Sequence, residues 1–146
     1  MARVERLNGT PNIHTYKNAA ASATTYDAGE WVGLNTDGAL VIGAAANILG
    51  IAQMDSPADV TTEVPVDVVC CDDSEFSMFF TGSGTSAQTD VGLKFAGTFT
   101  TGAQTIGSAG SGAFVVIGPD PRDGFGLNKR VIVKLMPGAV TSLVGQ

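Results

Sequence analysis

The regular alternation of short β-prone runs with turn-forming residues is the feature that most constrains the fold of this chain. The turn Asn35–Gly38 ends on Asp-Gly, which tolerates the positive φ angles of tight hairpins, and it separates the runs Glu30–Leu34 and Ala39–Ile42. Pro65 has no N–H to donate, so it predicts an edge strand or a bulge for its run. Further β-prone runs are Ile48–Met54, Thr62–Cys71, Glu75–Phe80, Asp90–Phe95, Thr98–Thr101, Ala103–Ile106, Ala113–Ile117 and Arg130–Met136.

This spacing, about one strand per 8–12 residues, is typical of an all-β sandwich or barrel. The chain has no long amphipathic helical pattern and no fixed-period repeat. We therefore predict an all-β fold, a compact sandwich or barrel of short antiparallel strands. Residues 1–26 follow neither periodicity and are predicted as an irregular N-terminal arm, residues 27–137 as the all-β body, and residues 138–146 as a C-terminal tail.

The chain carries few charges, and the two signs are segregated along it. Charged residues make up 15% of the sequence, against roughly 25% in typical soluble domains. The net charge is −6, and the eleven acids of residues 18–93 have no Lys or Arg among them. A nucleic-acid binder needs a basic stripe, so that class is excluded. The segregation favours complementarity between copies or with a partner, or else forms an acidic face in contact with solvent.

The two cysteines and the single histidine argue against disulfide, zinc and triad chemistry. Cys70 and Cys71 are adjacent and cannot link distant segments, so we expect two small residues at the end of a strand. A structural zinc site needs more Cys and His than the chain has. His14 lies in the predicted arm, where a catalytic base is poorly held.

Other patterns for catalysis or ligand binding are weak. The many acids make some carboxylate pair inevitable, so a glycosidase pair has no specificity here. The run Asp120–Gly124 lacks the full spacing of a calcium loop and is interpreted as a turn, with a cation site as the alternative. The glycine-rich stretches lack the Lys-Ser/Thr pair of a phosphate loop. We predict no catalytic residue, cofactor or metal, and no enzymatic activity.

From the hydropathy pattern we expect no secretory signal at the N-terminus and no membrane-spanning segment. The N-terminal residues contain no apolar run, and no stretch approaches the roughly 20 apolar residues that span a bilayer. We expect synthesis in a cytosolic context and no membrane partner.

The order of elements resembles a family of phage capsid decoration, or cement, proteins. Four pieces carry the resemblance: the hairpin Ala28–Leu40, the strand Ile48–Ala52, the segment Thr89–Phe95, and the ending Phe114–Pro121 with Val131–Leu135. Together they span residues 28–135. The resemblance implies a β-barrel or β-tulip-like body, homotrimers at the threefold positions of an icosahedral shell, and the major capsid protein as partner. It places the protein on the outer surface of the virion after synthesis in the host cytoplasm.

Two other functions stay open beside this one. The chain could be another phage head-fibre or tail module, or a carbohydrate-binding adhesion domain. On the decoration hypothesis, we expect the arm to reach the capsid through Arg3, Arg6, Tyr16 and Lys17. We also expect a chain that begins near Ala28 to stay folded and oligomeric but to bind shells poorly. The residues assigned to the core or to a trimer interface are Trp31, Phe76, Met78, Phe80 and Phe114.

Overall fold

The computed structural model describes residues 3–19, 25–69, 74–80, 85–109 and 112–137. It confirms the all-β prediction, because the described residues form two packed antiparallel sheets and one short 3-10 helix, Gln88–Asp90. No helix in the described ranges is long and apolar enough to cross a membrane. Cys70, Cys71 and residues 138–146 lie outside the described residues.

The six-stranded sheet has the order β1-β7-β11-β10-β8-β9. All of its neighbouring strands are antiparallel. Glycine at the β8–β9 turn permits the tight reversal, since Gly102 has a φ angle of +78°. Its strands are β1 (Glu5–Asn8), β7 (Glu75–Phe79), β8 (Lys94–Thr100), β9 (Ala103–Ala109), β10 (Phe114–Pro119) and β11 (Arg130–Leu135).

The five-stranded sheet has the order β2-β6-β5-β3-β4. The predicted hairpin forms between β3 and β4, and Gly38 in its turn has a φ angle of +75°. The prediction of an edge strand or bulge at Pro65 is wrong, because β6 lies between β2 and β5 in regular register. Pro65 is tolerated there because its missing N–H falls just beyond the last residue pair with β5. The strands are β2 (Ile13–Lys17), β3 (Trp31–Leu34), β4 (Leu40–Ile42), β5 (Gly50–Ala52) and β6 (Glu63–Val68).

Alternating side chains divide the interior into two clusters, one on each face of the five-stranded sheet. Trp31 and Ile51 point into the main core between the sheets, whereas their neighbours Val32 and Ala52 point into the second cluster. The sequence analysis assigned five residues either to the core or to a trimer interface. All five lie in the main core and are at most 4% exposed: Trp31, Phe76, Met78, Phe80 and Phe114. Within that core, the Trp31 and Phe76 rings meet edge to face with centroids 4.9 Å apart.

The N-terminal segment is part of the folded body, so the prediction of an irregular arm over residues 1–26 is wrong for most of it. Strand β1 pairs with β7, and β2 pairs with β6. Val4 and Tyr26 are almost completely buried, and the Tyr26 hydroxyl donates to Asn18 Oδ1 at 2.8 Å. A chain that begins near Ala28 would lack both strands and these core residues, so we no longer expect it to stay folded.

Both sheets curl toward closure, although the described residues form a sandwich and no closed barrel. An isolated parallel bridge between Asn18 and Leu40 brings the end of β2 beside β4. A second parallel bridge joins Phe80, directly after β7, to Ile106 on β9. The chain is therefore a sandwich in which only parts of the sheet edges remain uncovered.

Candidate interaction site

The chain crosses from one sheet to the other between β1 and β2. Gly9 permits the turn because it adopts a φ angle of +94°, and its N–H donates to Asn8 Oδ1 at 2.9 Å. A groove of about 520 Å³ opens beside this crossover. Leu7 and Ile13, at its rim, are 39% and 50% exposed.

An ion pair between Arg6 and Asp67 joins the two sheets at this groove. Arg6 Nε donates to Asp67 Oδ2 at 2.7 Å, and Nη2 donates to Oδ1 at 2.9 Å. The two side chains are only 10% and 6% exposed. Arg6 also donates to Ser74 Oγ at 2.7 Å and lies over the Phe76 ring. This bidentate geometry fixes the position of β1 relative to β6.

The backbone hydrogen bonds of β6 determine which N–H and C=O groups of β2 point away from the five-stranded sheet. The C=O of Pro65, opposite Thr15, accepts the N–H of Gln53 at 2.9 Å and therefore points toward β5. Opposite residues of an antiparallel pair that do not bond to each other direct their backbone groups outward. Because every second residue behaves alike, Ile13 and Thr15 direct their N–H and C=O groups away from the five-stranded sheet.

A hydrogen bond one residue before β2 gives the same alternation. The N–H of Val68 donates to the C=O of Asn12 at 2.8 Å, so the backbone C=O of Asn12 points toward β6. The backbone groups of the next residue, Ile13, therefore point away from β6. No strand in the described part of the chain pairs with the outward groups of Ile13 and Thr15. We call this stretch, Ile13–Thr15, the open edge.

Contacts from elsewhere in the chain cover parts of the other three sheet edges. The N–H of Val4, before β1, donates to the C=O of Gly29 at 2.8 Å. The N–H of Ala19 donates to the C=O of Leu40 on β4 at 3.0 Å, and the bridge from Phe80 covers β9. Exposed strand edges pair readily with other chains. The open edge is therefore a candidate binding element.

The four predicted contact residues do not form one patch. Arg3 is exposed beside the groove, where its side chain packs over Gly29, and Arg6 is held in the ion pair. Tyr16 is half-buried against the second cluster, and burial raises the pKa of its phenol. Lys17 is exposed at the end of β2. Only Arg3 and Lys17 thus present a largely accessible charge.

Sequence reasoning missed Glu30, a buried carboxylate. The residue is 1% exposed, its Oε1 accepts the N–H of Gly102 at 2.5 Å, and Oε2 has no hydrogen-bond partner within the described residues. Burial raises the pKa of Glu30, against two backbone hydrogen bonds that lower it. Its position directly before the apolar strand β3 was the only available signal.

The loop Asp120–Gly124 is a turn, as predicted from its sequence. The N–H groups of Asp123 and Gly124 both donate to the C=O of Asp120 at 2.9 Å. The Asp120 carboxylate accepts from Arg122 Nη2 at 2.6 Å and from Ser77 Oγ at 2.7 Å. The Arg122 guanidinium therefore holds the pKa of Asp120 well below its usual range.

His14 is exposed on β2, with its Nε2 3.1 Å from Asn12 Oδ1. In the residues for which the structure gives a description, no three His, Asp or Glu side chains are arranged to share a metal ion. Neither the known protein-family models nor the curated proteins contain a match to this chain.

Proposed function

We propose that this protein is a structural virion component that decorates and stabilises an icosahedral phage capsid, binding as trimers between neighbouring capsid subunits. The observation that carries the proposal is the open edge of β2. It lies on the N-terminal segment that we expect to contact the capsid, and it offers unpaired main-chain groups to an extended segment of the major capsid protein.

The position of the open edge suits a protein that transmits force between neighbours. Strand β2 is anchored through β6 to the second cluster, and the adjoining strand β1 is anchored through Arg6 and Asp67. A load on β2 would therefore pass into both sheets. A loose arm would stretch before it resisted a load, whereas this strand would resist immediately.

The segments that carry the resemblance occupy two compact parts of the fold. Ala28–Leu40 and Ile48–Ala52 contribute β3, the start of β4 and β5 of the five-stranded sheet. Thr89–Phe95, Phe114–Pro121 and Val131–Leu135 contribute to β8, β10 and β11, which are neighbours in the other sheet. This arrangement supports the proposal, because the matched pieces form continuous structural units.

Decoration would stabilise a shell by mass action. A protein that binds the assembled shell and not the separated subunits shifts the equilibrium toward the shell. Many copies acting together resist rupture even when each contact is weak.

The direct test is incubation of the full chain with emptied phage heads, followed by imaging of the threefold positions. We expect added density there and a higher temperature of head disruption. The variant Thr15→Pro removes an outward N–H that pairs with no described strand, so the sheet should persist while shell binding falls at least about tenfold.

Thr15→Val is the matched control, because it changes the same side chain but keeps the N–H. It should bind shells like the unchanged protein. Circular dichroism and thermal unfolding establish that both variants are folded. Absence of density at the threefold positions would contradict the proposed function, and undiminished binding by folded Thr15→Pro would contradict the role of the open edge.

A further inference from the structure

The outer face of the six-stranded sheet carries apolar side chains at its centre, on strands β10 and β11. Strands β10 and β11 place Val115 and Ile132 half-buried on the face opposite the core, and Ile117 is 40% exposed beside them. An antiparallel sheet with one solvated face normally carries polar residues there. The inward side chains of the same strands are fully buried in the main core: Phe114, Val116, Val131 and Val133.

Two lysines flank the centre of this outer face. Val115 lies directly opposite Lys94 on β8 and directly opposite Lys134 on β11. Residues that face each other across neighbouring strands project from the same side of a sheet. Lys94, Val115 and Lys134 therefore form one row across three strands, with Ile117 and Ile132 beside it. We call these five residues the lysine face.

The loop between β5 and β6 has the complementary character. Residues 55–63, which comprise this loop and the first residue of β6, contain the exposed acids Asp55, Asp59 and Glu63 and no Lys or Arg, and Glu63 lies opposite Lys17 on β2. Val60 in the same loop is 47% exposed. The loop thus presents an apolar side chain among negative charges, and the lysine face presents apolar side chains between positive charges. The two surfaces are complementary in charge.

The loop is also ordered in advance of any contact. The Asp59 carboxylate accepts the N–H groups of Thr61 and Thr62 at 2.8 and 2.6 Å, and both hydroxyls at 3.0 and 2.9 Å. These hydrogen bonds lower the pKa of Asp59 to about 2, and the bond from the Thr62 N–H has the largest effect. The carboxylate is therefore ionised at neutral pH. A preorganised loop pays less entropy on binding.

We infer that the lysine face of one copy binds the acidic loop 55–63 of a second copy. Such a contact joins two different surfaces, so repeated copies form a ring if the rotation closes. Closure at three copies would give the trimer of the proposed function, on which the inference rests for its copy number. The outer face would then be covered by protein, which accounts for its apolar centre.

The test measures the mass of the full chain in solution and uses no shells. We expect a concentration-dependent trimer that weakens at high salt. Lys94→Glu and Glu63→Lys should each raise the dissociation constant at least about tenfold, because each places like charges in the contact. Lys129→Glu is the matched control: it reverses an exposed lysine outside the lysine face and should leave the mass unchanged.

Val115→Thr keeps the branched shape while adding a hydroxyl, and it should also weaken the trimer. Circular dichroism and thermal unfolding verify that each variant is folded. A monomer at all concentrations, or a trimer insensitive to Lys94→Glu, would overturn the inference. Sensitivity to Lys94→Glu without sensitivity to Glu63→Lys would also overturn it, since the face would then take another occupant.

The two proposals fail separately. A trimer that forms in solution but does not bind emptied heads contradicts the decoration function but not this contact. If the protein binds shells but its trimer is unchanged by the charge reversals, this contact is contradicted and decoration is not.

Discussion

Arg6 on β1 and Asp67 on β6 hold the two sheets together through a bidentate ion pair whose members are separated by 61 residues in sequence. The pair is shielded from solvent, so each charge depends on the other for compensation. Arg6→Met should lower the free energy of unfolding by about 3–5 kcal/mol, because it leaves Asp67 buried with the N–H of Asn12 as its remaining described partner. Chemical denaturation measures the loss.

The double variant Arg6→Met with Asp67→Leu distinguishes the pair from its parts. It should be more stable than Arg6→Met alone, since no uncompensated charge remains. A loss below about 1 kcal/mol for Arg6→Met would mean that the pair does not fasten the sheets.

Glu30 should make the protein less stable as pH rises. Its folded pKa is raised above the ordinary value of 4.5, so the unfolded chain loses this proton first. The free energy of unfolding therefore falls from that pH upward and levels off above the folded pKa. Glu30→Gln should remove this decline and raise the free energy of unfolding at pH 7 relative to the unchanged chain.

The measurement is the difference in stability between Glu30→Gln and the unchanged chain at several pH values. The difference should be small near about pH 4 and reach a plateau above the folded pKa. A difference that does not vary with pH would rule out titration of Glu30 as its cause.

Asp120 should have the opposite pH dependence. Arg122 and Ser77 stabilise its charged form, so its contribution is complete above the ordinary value of 3.8 and is lost as pH falls toward the lower folded pKa. Asp120→Asn should cost about 2–3 kcal/mol at pH 7, since it weakens hydrogen bonds to a buried carboxylate. Thermal unfolding should show less acid sensitivity in the variant.

Glu5→Gln is the control for Asp120. Glu5 accepts from the same Arg122 at 2.9 Å, but both side chains of that pair are about half exposed, at 49% and 54%. The change should alter stability by about 0.5 kcal/mol or less. Equal losses at Glu5 and Asp120 would contradict the importance that we give to burial.

The N-terminal strands can be tested by two matched truncations of side chains. Val4 is 5% exposed in the main core, whereas Leu7 on β1 is 39% exposed. Val4→Ala should lower the free energy of unfolding by about 1.5–3 kcal/mol, while Leu7→Ala should lower it far less. Similar small effects at both positions would mean that this segment is not part of the core.

The all-β class and the central strands were predictable because their signals are local. The Asp37-Gly38 turn specified the β3–β4 hairpin, and apolar runs marked β5, β7, β10 and β11. The three short pieces predicted from Asp90 to Ile106 are two longer strands, β8 and β9, because Gly97 does not interrupt β8 in the sheet.

The N-terminal strands were not predictable from local pattern. Strand β2 is exposed along most of its length and so shows no apolar alternation, and β1 has one half-buried residue. Their formation depends on distant partners, such as Asp67 for Arg6 and Val66 for His14. The open edge was hidden for the same reason, since it follows from the hydrogen bond that the C=O of Pro65 accepts from Gln53 and from the bond between Val68 and Asn12.

The placement of β1 and β2 has a consequence for biosynthesis. Both strands leave the ribosome before β6 and β7, the strands with which they pair. Glu5 on β1 pairs with Ser77 on β7, so β1 cannot form its sheet contacts until Ser77 has been translated. Such distant pairing slows folding, and it delays the finished surface of the N-terminal strands until most of the polypeptide exists.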